Sequence, residues 1–229
     1  MKKIIAIIPA RGGSKGIPKK NLKNFCGKPL ISWTIKHALD SKHIDSVWVT
    51  SDSNEILNIS KKAGANTIVR PRSLSLDTSS SESAWLHALD YIENLGFQVD
   101  IIVGLQATNP LRESNDIDKA ITKFKRTKVD SLFSGSYIGN FFIWQKINKK
   151  LQSQNYDFKH RPRRQDFGKQ FVENGSIYVF KPEILRKYNN RLGGKIEISL
   201  MDNWKSYDID TLDDFDVCET LMKRFLLDK

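Results

Sequence analysis

Cysteine, histidine and methionine are all scarce in this chain, at two, four and three residues in 229. Cys26 and Cys218 lie near opposite ends with no metal-type spacing, which excludes a disulfide framework or a zinc knuckle and predicts two reduced thiols. His37, His43, His87 and His160 form no cluster in the sequence, so no histidine-based nucleophilic triad is indicated. Long apolar runs are absent as well. None approaches the roughly 20 residues of a membrane span. The N-terminal run Ile4–Ile8 is too short for a secretory signal and lacks a small-residue cleavage site. These absences predict a cytoplasmic protein. Acidic residues are the scarcer charge, with 26 Asp and Glu against 37 Lys and Arg, giving a net charge of +11. A basic balance specifies no partner by itself. The cations are spread along the chain apart from His160–Arg164, and no nucleic-acid-binding motif accompanies them. A small polyanion is therefore the expected partner, and a non-catalytic nucleic-acid-binding protein is the alternative.

What is present starts with Lys3–Leu22, KIIAIIPARGGSKGIPKKNL. A β-branched run reads as a buried strand ended by Pro9. It feeds a loop carrying two adjacent glycines and the cations Arg11, Lys15, Lys19 and Lys20. Glycines admit an anion close to the backbone N–H groups, and cations neutralise it, so this pattern suits phosphate. The loop is neither G-x-x-x-x-G-K-[ST] nor G-x-G-x-x-G, which argues against kinase and dehydrogenase readings.

The rest of the chain alternates strand and helix. A helix with apolar positions Leu30, Ile31, Ile35, Ala38 and Leu39 follows Pro29, and Ser46–Thr50 is a strand. Helices are predicted around Glu55–Ala63, over about Glu82–Leu95, from a Ser114 cap to about Lys125, and after a Thr211 cap. Strands fall at Thr67–Val69, Asp100–Gly104 and Asn174–Phe180. This rhythm predicts an α/β fold, a doubly wound and mostly parallel sheet in one domain over residues 1–229. Ligands of such sheets sit beyond the carboxyl ends of the strands. The rhythm breaks over about 131–171, an aromatic and basic segment expected to be an insertion able to reach a second subunit.

Asp208 and Asp210 occupy alternate positions of an extended segment, which puts both carboxylates on one face. Two such carboxylates form a partial shell for Mg²⁺, which takes waters and phosphate oxygens as its other ligands. An aspartate before a helix is equally common as a cap. Arg70, Ser81, Gln106, Asn174 and Tyr178 each stand beside a predicted strand end or loop and can contact a ligand.

Together these residues resemble the cytidylyltransferases that activate nine-carbon keto acids, the CMP-sialic acid synthetase family. The similarity runs over nearly the whole chain in five blocks: Ile7–Asn21; Arg70-Pro71 with Leu74 and Asp77–Ser81; Leu105–Arg112; Glu173–Tyr178; and Asp208–Thr211. The resemblance implies a Rossmann-like nucleotidyltransferase fold and the reaction CTP plus an N-acylneuraminate to the CMP-sugar and pyrophosphate. It implies catalytic roles for Arg11, Lys15, Asp208 and Asp210. CTP would be bound by Ala10, Arg11, Gly12, Gly13, Ser14, Lys15, Lys20, Asn21, Arg70 and Ser81. Asp208 and Asp210 would hold Mg²⁺. Gln106, Arg163, Arg164, Asn174 and Tyr178 would contact the sugar, and the segment of about 131–171 would make a homodimer. The third block departs from the family pattern in reading Gln106-Ala107-Thr108-Asn109, where Pro and Ser are expected at the variable positions. Arg163–Asp166 also differs from the form typical of N-acetylneuraminate enzymes. Both departures concern the sugar, so legionaminic acid or another nonulosonic acid stands beside N-acetylneuraminate as the acceptor.

Overall fold

The computed structural model describes residues 3–14, 16–139 and 141–228, with the side chain of Arg164 also outside the description. Lys15 therefore lies outside the described residues. In chain order the strands are β1 (Ile4–Pro9), β2 (Asn24–Phe25), β3 (Lys28–Pro29), β4 (Ser46–Ser51), β5 (Asn66–Val69) and β6 (Ile101–Leu105). Then come β7 (Ser131–Tyr137), β8 (Trp144–Ile147), β9 (Lys150–Ser153), β10 (Phe171–Phe180) and β11 (Ile196–Leu200). The helices are α1 (Leu30–Leu39), α2 (Asn54–Lys62), α3 (Ser81–Asn94), α4 (Ser114–Thr127), α5 (Pro182–Tyr188) and α6 (Leu212–Met222).

Seven strands make the central sheet in the order β11-β7-β10-β6-β1-β4-β5. All neighbours are parallel except those of β10, which is antiparallel to both β6 and β7. The two-residue period of a strand explains the two helix layers. Ile4, Ala6 and Ile8 face a core shared with Ile31 and Ile35 of α1, Ile56 of α2 and Ile117 and Ile121 of α4. Ile5 and Ile7 face the opposite core, built with Trp85 and Leu89 of α3 and Leu185 of α5. Gly104 in β6 belongs to this second layer for a steric reason, since a Cβ there would lie 2.8 Å from Trp85 Cζ2. Burial on both faces is why β1 and β6 read as unbroken apolar runs.

The final helix α6 closes a third apolar cluster, in which Phe215, Cys218 and Met222 meet Ile17, Phe25, Trp33 and Ile209. Thr211 caps it as expected, with the Asp214 N–H donating to Thr211 Oγ1 and the Thr211 N–H to Asp214 Oδ2. Ser114, by contrast, is the first residue of α4 rather than its cap. That position belongs to Glu113, whose N–H donates to Asp116 Oδ2 at 2.9 Å. The segment expected as an insertion from about residue 131 begins later. Ser131–Tyr137 forms β7 of the central sheet, and only residues after it leave the sheet, around the β8–β9 hairpin. Pairing with both β10 and β11 claims those residues, which their aromatic composition concealed. No helix of the described residues is long and apolar enough to cross a membrane.

His37 on α1 is buried and its pKa is lowered to about 3, chiefly by desolvation and next by the nearby Arg112 charge. Its folded pKa lies below the unfolded value, so the unfolded chain binds the extra proton as the pH falls. Its contribution to stability is complete above about pH 6.5 and is lost on acidification toward pH 3. By pH 5 the loss is about 2 kcal/mol. Urea titrations at pH 7 and pH 5 should show the wild type losing about that much more than His37→Gln.

Candidate functional site

Between β1 and β6 the chain changes direction across the sheet, having gone first to β4 and β5 and then returned. Such a switch point leaves a crevice beyond the carboxyl ends of the strands. A cleft of about 330 Å³ lies there, lined by Pro9 and Ala10 at the end of β1, Arg70 after β5 and Gln106–Thr108 after β6. Arg11, Ser14, Lys20 and Asn21 add a basic and polar wall, Leu74–Asp77 and Ser79–Ser81 a second wall, and Asp208 and Asp210 an acidic one.

The glycine loop is anchored by its own backbone. Ala10 N–H donates to Thr50 O at 3.0 Å, and Asn21 Nδ2 donates to Arg11 O at 3.1 Å. Gly12 N–H donates to Asp52 Oδ1 at 2.9 Å, so this amide is occupied by a carboxylate. Asp52 directly follows the last residue of β4. Gly16 is needed for close approach, because a Cβ there would lie 2.3 Å from Asp210 O. The loop is thus pressed against the acidic segment that follows it by nearly the whole length of the chain. Lys20, buried, bridges the same two parts by donating to Ile209 O and to Asp210 Oδ1, the latter at 3.0 Å.

The acidic segment is held from its other side by the turn after β6. Ile209 N–H donates to Thr108 O at 3.0 Å, and the Thr108 side chain lies near enough to Asp208 to favour its charged form. Burial raises the pKa of the Asp208 carboxyl; the nearby Thr108 side chain opposes that shift and the Asp210 charge adds to it. Arg70 is also buried, and desolvation lowers its pKa, with Asp52 favouring its charge and Arg11 opposing it. Arg11 Nη1 meets Asp77 Oδ1 at 2.8 Å with both side chains substantially exposed. Three buried polar atoms on cleft residues have no hydrogen-bond partner among the described residues: Asn21 Oδ1, Arg70 Nε and Asp208 Oδ1. Buried polar atoms are rarely left unpaired, so a cleft that carries three is shaped for a polar ligand.

Of the residues expected at the site, the fold brings Ala10, Arg11, Ser14, Lys20, Asn21, Arg70, Ser81, Gln106, Asp208 and Asp210 to this one cleft. Gly12 and Gly13 lie in the loop without lining it. Asn174 and Tyr178 do not line this cleft. Asn174 is buried, its Oδ1 accepting from Ser134 Oγ at 2.6 Å and from Ser176 N–H at 3.2 Å. Tyr178 points into the second core layer against Trp85, hydrogen-bonds Glu173, and is held protonated by burial. Arg163 sits on the segment between β9 and β10, paired with Asp166 at 2.7 Å, and does not line the cleft. Residues the sequence reading missed are Asp77 as the partner of Arg11, Thr108 as the neighbour of Asp208, and Asp52. Thr108 and Asp77 stood within quoted blocks, but nothing local assigns a partner.

Among the described residues no three His, Cys, Asp or Glu side chains converge to hold a metal ion. Asp208 and Asp210 nevertheless fit part of a shell for a hard cation, since Asp208 Oδ1 is buried without a partner among the described residues and both line one cleft.

A doubly wound α/β sheet here carries a basic, glycine-containing loop and an acidic wall at its switch point, where α/β proteins of this class bind their ligands. The chain belongs to the cytidylyltransferase family, whose model matches residues 5–228. It is 37% identical over 226 residues to the N-acylneuraminate cytidylyltransferase of Oncorhynchus mykiss, covering 97% of this chain and 51% of that protein. It therefore spans about half the length of that relative. It is 32% identical over 227 residues to a pseudaminic acid cytidylyltransferase of Campylobacter jejuni, covering 96% of this chain and 97% of the relative. The same fold is found in CMP:2-keto-3-deoxy-manno-octonic acid synthetase complexed with CTP, at 17% identity and a TM-score of 0.73, over 98% of this chain and 100% of the other.

Proposed function

We propose that this protein transfers the cytidylyl group of CTP to a nine-carbon keto acid of the N-acylneuraminate type, releasing pyrophosphate. The observation that carries this reading is the cleft itself, where Arg11, Lys20, Asn21 and Arg70 face Asp208 and Asp210 and three buried polar atoms lack partners among the described residues. The names of the two relatives support the choice of nucleotide and acid. A differently substituted nonulosonic acid is the second reading, favoured by the relative in Campylobacter jejuni that matches over almost its full length.

In this reaction the anomeric oxygen of the acid forms a bond to the α-phosphorus while the bond from that phosphorus to the β-phosphate oxygen breaks. The hydroxyl gives up its proton and the electron pair leaves with pyrophosphate. Arg11 and Lys20, which line the cleft, are assigned to the triphosphate, with Lys15 assigned there from the sequence alone; stabilising charge on the leaving group is where positioned cations lower a barrier most. Asp208 and Asp210 would hold Mg²⁺, which when bound draws charge off the phosphate oxygens. Ser81 and Arg70 line the wall nearest β5 and are assigned to the cytidine, and Gln106 to the acid.

We assign the protein to the cytoplasm, where CTP is made and where thiols such as Cys26 and Cys218, free in this structure, stay reduced. A homodimer is proposed on the segment around β8 and β9. Phe142, Trp144, Tyr156, Phe158 and Phe167 make a small aromatic cluster there, while Phe141 and Leu151 remain largely exposed. Exposed apolar surface of that kind commonly marks an interface.

The test is a pyrophosphate-release screen of four nucleoside triphosphates against a panel of nonulosonic acids. Release with CTP and one acid of the panel is the expected result. Release with none, together with salt-sensitive binding of DNA or RNA, would replace this reading with a nucleic-acid-binding protein. A smaller effect is expected at Asp77. It occupies Arg11 in this structure, and an exposed pair of this kind is worth about 0–1 kcal/mol. Asp77→Asn should lower KM for CTP by up to about fivefold at unchanged kcat; a raised KM would mean that Asp77 supports the bound nucleotide.

A further inference from the structure

Arg112 is fully buried, yet no carboxylate lies within 4 Å of it among the described residues. Its bonds go to neutral acceptors. Nη1 donates to Ser176 O and Ser176 Oγ, each at 3.0 Å, and Nη2 donates to Thr34 Oγ1 at 2.6 Å and to the carbonyl of Gln106. Its Nε has no partner among the described residues. The carboxylates that act on it from further away are Asp116 and Asp208, and Asp116 is already met by Lys205 Nζ at 2.7 Å. A buried cation without an ion-pair partner is unfavourable, and an apolar side chain of similar volume would fill the space at less cost. Its geometry gives the reason for keeping it. One planar guanidinium joins α1 (Thr34), β10 (Ser176) and the turn after β6 (Gln106).

We infer that Arg112 is a positioning residue for the cleft: it ties the Gln106–Thr108 turn to α1 and β10, and through Thr108 it sets where Asp208 stands. The link from Thr108 onward is direct, since its carbonyl accepts at 3.0 Å from the N–H of Ile209, the residue that follows Asp208. Gln106 and Thr108 both line the cleft, so one strut governs two of its walls. Residues that orient metal ligands commonly alter metal affinity tenfold or more when changed. The inference rests on the reading above in which Asp208 and Asp210 hold a divalent cation.

The test measures Mn²⁺ binding by electron paramagnetic resonance in the presence of CTP, alongside pyrophosphate release. Arg112→Lys keeps the charge and loses the fork, and Arg112→Met loses both. Each should weaken Mn²⁺ at least fivefold, with CTP affinity in the absence of metal within twofold of wild type and kcat partly recovered at saturating metal. A role confined to folding would lower the melting temperature and leave the Mn²⁺ affinity of the folded fraction unchanged, which would overturn the inference. Should neither variant fold, Thr34→Val/Ser176→Ala decides. It leaves the bond to Gln106 and loosens the other end of the strut, so a two- to fivefold weaker Mn²⁺ affinity supports the inference and an unchanged one overturns it. Wild type that binds no Mn²⁺ also overturns it. Wild type that binds Mn²⁺ with CTP but releases pyrophosphate with no acid leaves the inference standing and removes the proposed reaction.

Discussion

Asp208→Asn is expected to reduce pyrophosphate release at least a thousandfold while leaving the protein as stable as the wild type or slightly more so. The two halves of that expectation come from one fact. Asp208 is half-buried, its Oδ1 has no partner among the described residues, and burial raises its pKa, so its charge is disfavoured in the folded protein. A carboxyl whose folded pKa lies above its unfolded value lowers stability at neutral pH and regains it as the pH falls through the raised pKa. The isosteric amide keeps the shape and the Thr108 contact without that penalty. It also discards the anionic oxygen a hard cation needs, and a thousandfold loss corresponds to about 4 kcal/mol of transition-state stabilisation. Steady-state assays and thermal melts on the same preparation check both halves. Turnover within tenfold of wild type would end the metal assignment, and a melting temperature several degrees lower would recast Asp208 as a structural residue.

Lys20→Met is expected to lower kcat/KM by about a hundred- to a thousandfold, on the order of 3–4 kcal/mol, as for loss of a positioned charge that stabilises a transition state. Here stability should fall too. Lys20 is buried, and its removal leaves Ile209 O without its donor, a loss of about 1–3 kcal/mol. A third measurement separates chemistry from folding. Lys20 holds Asp210 Oδ1 at 3.0 Å, so its removal frees a carboxylate oxygen and the Mg²⁺ concentration for half-maximal rate should fall even as kcat falls. A half-saturation that rises would show that Lys20 orients Asp210 toward the metal rather than competing with it.

Much of this arrangement was legible before any coordinates, and the reasons are local. The strands β1 and β6 announced themselves because burial on both faces leaves no polar position in their runs. The Thr211 cap was readable because capping is settled within four residues. The cap of α4 was misplaced by one residue because Ser114 is intrinsically the better cap, while Glu113 gained the position through its pairing with Asp116 and Lys205. Asn174 and Tyr178 sat in a block that resembled a family motif, and block membership carries no information about which way a strand residue faces. In β10 that direction is set by the register with β6 and β7, which turns Tyr178 into the core.

Lys3–Leu22 determined by itself that a buried strand feeds a basic glycine loop, and Asp208 with Asp210 that two carboxylates share one extended segment. Composition alone determined that neither disulfides nor a membrane-spanning helix organise the described chain. What only the tertiary structure decided is that these two segments meet. Lys20 reaches Ile209 and Asp210 across 189 and 190 residues of sequence, and Gly16 is a glycine because Asp210 O is its neighbour. The physical reason is that a sequence pattern records the period of burial along one element, whereas a partner across the fold is chosen by strand order. Here that order is the turn back from β5 to β6, which sets the two walls of the cleft side by side.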